Sequence, residues 1–187
     1  MVTDKEYNES KILTGLHNKE RILIKTDAED YFMKCVDLLQ FLVERKQNVV
    51  IVTFDSNTRD LIETLQWIKK VNVARIKVVD TVDIFLGRGS PPVKGLITVS
   101  KPTSFTDIEI YTNLFIREFD FEDVVVFFMS LNKIEEYEKI NEVGIFLTVF
   151  AQQLTKQKIS EIIIVPEKSG AGLNALLKMH STMKAEF

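Results

Sequence analysis

The sequence predicts a doubly wound α/β domain, with a mostly parallel sheet and helices on both faces. Short apolar runs alternate with longer amphipathic stretches along the chain, which is the pattern of repeated strand–helix units. Several short runs are continuously β-branched or aromatic: Val49-Val50-Ile51-Val52, Val124-Val125-Val126-Phe127-Phe128 and Ile162-Ile163-Ile164-Val165. Strands apolar on both sides are covered on both faces, as in parallel sheets. At 187 residues, 45% hydrophobic and 27% charged, the chain has the size and balance of one domain, 1–187. Such a chain buries a full core without a disulfide or metal staple.

Arg21–Lys25 is the first strand. After it stands Thr26-Asp27-Ala28-Glu29-Asp30, a turn with three carboxylates and neither glycine nor lysine. A helix over Glu29–Arg45 carries the stripe Phe32, Cys35, Val36, Leu39, Leu42 and Val43, and Thr26 with Glu29 has capping-box spacing. Strand Asn48–Phe54 is followed by Asp55-Ser56-Asn57, which offers caps for a helix over Thr58–Lys70. Leu65 and Trp67 fall on that helix's apolar stripe. Strand Arg75–Val79 leads to Asp80 and Asp83, expected as turn and cap residues before Ile84-Phe85-Leu86.

Gly87-Arg88-Gly89-Ser90-Pro91-Pro92 is the clearest loop, stiffened by prolines and loosened by glycines. Strand Gly95–Val99, helix Phe105–Phe119 and strand Asp123–Met129 follow. Helices over Ile134–Ile140 and Gly144–Gln157 lead to strand Glu161–Val165. A turn at Lys168-Ser169-Gly170-Ala171-Gly172 opens a final helix over Leu173–Lys184. Glu135, Glu136, Glu138 and Lys139 read as a solvated helix face.

Composition narrows the function classes. The net charge is −3 with no basic run, which argues against strong autonomous nucleic-acid binding. The N-terminus is polar, with no signal peptide. The longest apolar run, Val124–Met129, is far short of the ~20 residues of a membrane helix. The single cysteine, Cys35, excludes an internal disulfide, falls among core positions, and fits a reducing cytoplasm. His17, in a pre-strand turn, and His180, late in a helix, have no ligand-type partner at metal spacing. No Cys-x-x-Cys pair or Gly-x-Ser-x-Gly elbow occurs.

From about Ile12 to Glu167 the order of elements resembles the RecA-like core of the KaiC/RadA branch of ATPases. Leu23-Ile24-Lys25 leads into Thr26–Asp30 where that family carries its phosphate loop. Val50-Ile51-Val52-Thr53-Phe54-Asp55 ends in an acidic residue, as does the family strand bearing the residue that activates water. Val124–Met129 followed by Ser130 resembles the strand closed by a magnesium-linked aspartate and then a serine. The departures are chemical. Phe32 stands at the phosphate-loop lysine, Met33 at the magnesium-linked hydroxyl and Met129 at the aspartate.

The resemblance implies a RecA-like architecture that has lost its phosphate loop. The expected consequence is an inactive ATPase homologue: no catalytic residues, no metal ligands and no cofactor. Asp27, Glu29 and Asp30 place negative charge at a helix N-terminus, satisfying its dipole and repelling polyphosphate. A weaker anion-site candidate is Lys168, Ser169, Gly170 and Gly172, where small residues open a helix beside a lysine.

The leading expectation is a non-catalytic domain acting by protein association, with itself or with an active RecA/KaiC-type ATPase. The 13 phenylalanines fit an apolar interface. One alternative is an accessory DNA-binding module for recombination or repair, using Arg88 with Lys94 and Lys101. Another is a nucleotide-dependent enzyme with an unconventional site around Asp55 and Lys168–Gly172.

Overall fold

The structure, a computed structural model, describes residues 4–55, 58–89 and 94–186. Among the described residues seven parallel strands form one sheet. They are β1 (Arg21–Thr26), β2 (Asn48–Thr53), β3 (Ile76–Asp80), β4 (Leu96–Thr98), β5 (Val124–Met129), β6 (Ser160–Pro166) and β7 (Met183–Glu186). Their order across the sheet is β4-β3-β2-β5-β6-β1-β7. Among the described residues six α-helices flank them: α1 (Asp4–His17), α2 (Tyr31–Glu44), α3 (Thr58–Glu63), α4 (Phe105–Glu118), α5 (Ile140–Gln157) and α6 (Ala171–His180).

The sheet separates two cores because neighbouring residues on a strand point to opposite faces. Ile22, Ile24, Ile51, Phe127 and Ile164 pack beneath α1, α2 and α3. Leu23, Val50, Val52, Val126 and Phe128 pack beneath α4, α5 and α6. The apolar strands are therefore covered on both sides, which is what their composition demands. Many phenylalanines expected at an interface lie inside this second core. Phe105 stacks on Phe146 at 4.5 Å between ring centroids, and Phe128 meets the edges of Phe146 and Phe150. Among the described phenylalanines, Phe85 and Phe121 are the strongly exposed ones.

Several expected elements differ. The polar N-terminal region forms α1, held by Ile12 and Leu16 against the first core, so His17 ends a helix instead of sitting in a turn. The helix expected over Leu173–Lys184 stops at His180, and Met183–Glu186 pairs with β1 as a seventh strand. The helix expected over Ile134–Ile140 is a 3₁₀ segment, Leu131–Glu136, and α5 begins at Ile140.

The helix after β2 widens into a π-turn over Thr64–Ile68, with Lys69 N–H donating to Thr64 O. The extra residue rotates the stripe. Leu65 stays buried, but Trp67 is 64% exposed, correcting its assignment to the core. The Thr26–Glu29 capping box does not form either. Thr26 ends β1, and α2 is preceded by Asp30 in a helical conformation without a side-chain cap.

Cys35 lies in the first core as expected. Burial, with Asp55 adding to it and a Tyr31 contact opposing it, pushes its thiol up to about 12. The thiolate is the reactive form, so iodoacetamide at pH 8 is expected to leave the native protein unlabelled and to modify it fully in urea. Rapid labelling of the native protein, followed by mass spectrometry, would show the assignment to be mistaken.

Candidate functional site

In open α/β sheets, ligands bind beyond the carboxyl ends of strands where neighbouring connections leave on opposite faces. Here β1 and β6 are neighbours, yet α2 packs in the first core and α6 in the second. The crevice between them is closed by the chain itself. Glu167 N–H donates to Thr26 O at 2.9 Å, extending the strand pairing past the sheet. Tyr31, the first residue of α2, is buried; its hydroxyl donates to Ile164 O at 3.1 Å and accepts from Ser130 N–H at 2.5 Å. One phenol thus ties together the ends of β1, β6 and β5. Burial, and secondarily the nearby Cys35, push that phenol well above its ordinary range.

Ser130 holds a left-handed backbone conformation, φ 58°, which a non-glycine residue keeps only when its surroundings fix it. The Tyr31 contact is one such constraint. Another is the Ser130 hydroxyl, which donates to Asp55 Oδ2 at 3.3 Å. Lys133 Nζ lies 2.9 Å from Asp55 Oδ1. The acidic end of β2 is therefore engaged with a serine and an ammonium from the segment after β5. The Ser56 and Asn57 caps expected beside it lie outside the described residues.

The residues expected to stand in place of a phosphate loop follow β1 beside this closed crevice. Asp27, Glu29 and Asp30 are exposed, and Thr26 is buried. Phe32 packs partly against the first core, and Met33 faces solvent. Met129 is buried in the first core, where a thioether supplies no hard oxygen ligand for magnesium. A phosphate ~6 Å from one of these carboxylates, at an effective dielectric of ~20, meets a repulsion of about 3 kcal/mol.

Lys168 and Gly172 are exposed, and Ser169 Oγ donates to Pro166 O at 2.6 Å within the turn. A carboxylate already faces this helix N-terminus. A Cβ built on Gly170 would meet Glu135, with Oε1 at 2.7 Å. An external anion entering at Gly170 encounters that charge before it reaches the N–H groups. Glu135 is thus exposed but not simply solvated.

No family model matches the chain, and no curated protein is significantly similar to it.

Among the described residues no cluster of three or more His, Cys, Asp or Glu is placed to hold a metal ion, and no helix is long and apolar enough to cross a membrane. Arg88, Lys94 and Lys101 are exposed, and Ser90, Pro91 and Pro92 lie outside the described residues. Asp80 forms the expected turn, its Oδ1 accepting from Val82 N–H at 2.8 Å and Asp83 N–H at 3.0 Å.

Less expected is that both aspartates are buried, with Asp80 Oδ2 and Asp83 Oδ1 lacking hydrogen-bond partners. Burial, then the Asp80 charge, push the Asp83 carboxyl up to about 6, against opposing pulls from Arg88 and Arg59. The folded state holds this proton more tightly than the unfolded chain, whose aspartate titrates near ~3.9. Its stabilising contribution is complete below the unfolded value and is lost as pH rises through about 6. Asp83→Asn is therefore expected to gain about 1 kcal/mol over wild type at pH 7.5, after allowance for solvent screening, and to lose that advantage near pH 4. Urea unfolding of both proteins across this range is the check; a difference independent of pH would refute it.

Proposed function

We propose that this chain is a non-catalytic RecA-like domain that acts by associating with another copy of itself. The family reading is supported by convergence. The turn after β1, Asp55 after β2 and Ser130 after β5 meet at the carboxyl end of the sheet, linked through Tyr31 and Lys133. Absence of turnover is supported by the groups that fill that end. A phenol occupies the crevice, an ion pair lies beside it at the ends of β2 and β5, and carboxylates stand at the rim, where a nucleotide needs open N–H groups and a cation.

Association rests on the groove between α5 and α6. This cavity of about 640 Å³ is lined by Ile140, Ile145, Val149, Leu176 and Met179 among others, with no charged residue among the described lining. Ile145 is 60% exposed and Met179 85% exposed. Two long apolar side chains this bare at one groove exceed the scattered exposure of an ordinary surface. A charge-free patch is also compatible with its own copy, because no like charges meet across a two-fold axis.

Sedimentation velocity over a range of concentrations tests the reading. The wild type is expected to form a dimer or larger species that Ile145→Asp with Met179→Asp converts to monomer without loss of folding. A wild type that stays monomeric throughout would exclude self-association through this groove. Calorimetric titration with ATP–magnesium is expected to give no micromolar binding. Hydrolysis above background that Asp55→Ala abolishes would instead favour an unconventional enzyme.

A further inference from the structure

A second cavity, of about 420 Å³, lies on the other side of β1, where β1 and β7 pass between α1 and α6. Four lysines from four different elements line it: Lys11 of α1, Lys25 of β1, Lys178 of α6 and Lys184 of β7. Lys11 and Lys25 are half-buried, whereas Lys178 and Lys184 are exposed. Glu167 is the one carboxylate among the described lining residues. The strand register also sets Glu186 beside Lys25. We propose that this cavity binds a small polyphosphorylated anion, gripped by Lys11 and Lys25 and enclosed by Lys178 and Lys184.

Charge is the first support. Among the described residues, the ion pairs leave Lys11, Lys178 and Lys184 without a carboxylate partner. Ammonium groups gathered around one cavity repel one another, and a multivalent anion converts that repulsion into attraction. Preorganisation is the second. Lys25 Nζ donates to Asn174 Oδ1 at 2.5 Å, and the same amide donates to Ser169 O at 2.7 Å, which fixes its orientation. That hydrogen bond holds the Lys25 side chain in place without pairing it to a carboxylate.

The ligand class follows from size and chemistry. The volume falls within the ~300–1,000 Å³ of small-molecule sites. Lysines bind phosphate as compact point charges. No aromatic ring occurs among the described lining residues, so the stacking platform that single-stranded nucleic acid uses is missing.

Titration of the whole chain with inorganic tripolyphosphate, free of magnesium, tests the site by calorimetry. Binding is expected in the tens of micromolar at low salt. It should weaken about tenfold as added salt screens the charges. Lys25→Ala combined with Lys184→Ala is expected to weaken binding at least tenfold, while Lys101→Ala, remote from the cavity, leaves it unchanged. Should the double variant lose its folded circular dichroism, the exposed Lys178→Glu replaces it, with the same loss expected by phosphorus NMR. Absence of binding at low salt overturns the proposal, as does equal affinity in the lysine variants. Tighter binding of a single-stranded oligonucleotide through the same lysines also overturns it, by making the surface a nucleic-acid site. None of these outcomes depends on the oligomeric state.

Discussion

His180→Ala is expected to destabilise the fold by about 3 kcal/mol, because it leaves the buried Glu161 carboxyl without its hydrogen-bond partner. Glu161 is 0% exposed, and both of its oxygens lie against His180 Nε2, at 3.1 and 3.0 Å. The strand register places Arg21 beside Glu161, and Arg21 Nε donates to His180 O at 2.7 Å. Thr182 closes the same corner: its hydroxyl contacts Glu20, and its N–H donates to Arg21 O. Removing the imidazole therefore loosens the turn that brings α6 into β7.

Urea unfolding measures the total loss. Amide exchange is expected to accelerate first at Met183–Glu186 and then along β1, whose outer edge β7 covers. Pairing His180→Leu with Glu161→Leu is expected to recover most of the stability, since an apolar pair of similar bulk leaves no buried polar group without a partner. A loss below about 1 kcal/mol for His180→Ala would mean that solvent or Arg21 already compensates the carboxylate.

Tyr31→Ala is expected to cost a comparable amount, about 3–5 kcal/mol, as large aromatic truncations in cores do. Tyr31→Phe isolates the hydroxyl and is expected to cost about 1–3 kcal/mol, because the buried Ser130 N–H loses its acceptor. The two variants separate packing from hydrogen bonding. Neither is expected to create nucleotide binding, since Asp27, Glu29 and Asp30 remain at the rim. If Tyr31→Ala gained micromolar affinity for ATP–magnesium, the phenol alone would be the barrier, and the electrostatic account of the loop would fail.

The strands were legible in the sequence because burial on both faces writes itself as unbroken apolar runs, as in Val124–Met129. What escaped depends on contacts between distant segments. Met183-Lys184-Ala185-Glu186 has no strand signature and becomes one by pairing with β1. The amino-terminal helix offers only a thin stripe, Ile12 and Leu16, amid polar residues. Trp67 leaves the apolar stripe because a π-turn changes the period partway through an otherwise regular helix.

The same limit applies to the candidate site. The acidic turn is legible residue by residue, and its three carboxylates, Asp27, Glu29 and Asp30, are exposed. That Tyr31 fills the crevice is not legible in this way, although a tyrosine opening an apolar helix is a signal in itself, since a buried hydroxyl needs partners. Lys25, Lys178 and Lys184 are scattered in the sequence, and only the strand order gathers them with Lys11.

The position of β1 has a consequence for biosynthesis. Although it is the earliest strand in the chain, its two neighbours, β6 and β7, are the latest. A nascent polypeptide emerging from the ribosome must carry β1 unmated while β2 to β5 are made, and β1 gains its second neighbour only after translation of Met183–Glu186. Topologies with such distant partners fold slowly and expose sticky intermediates. Arrested chains truncated before β6 should therefore rely on chaperones far more than chains that include β7.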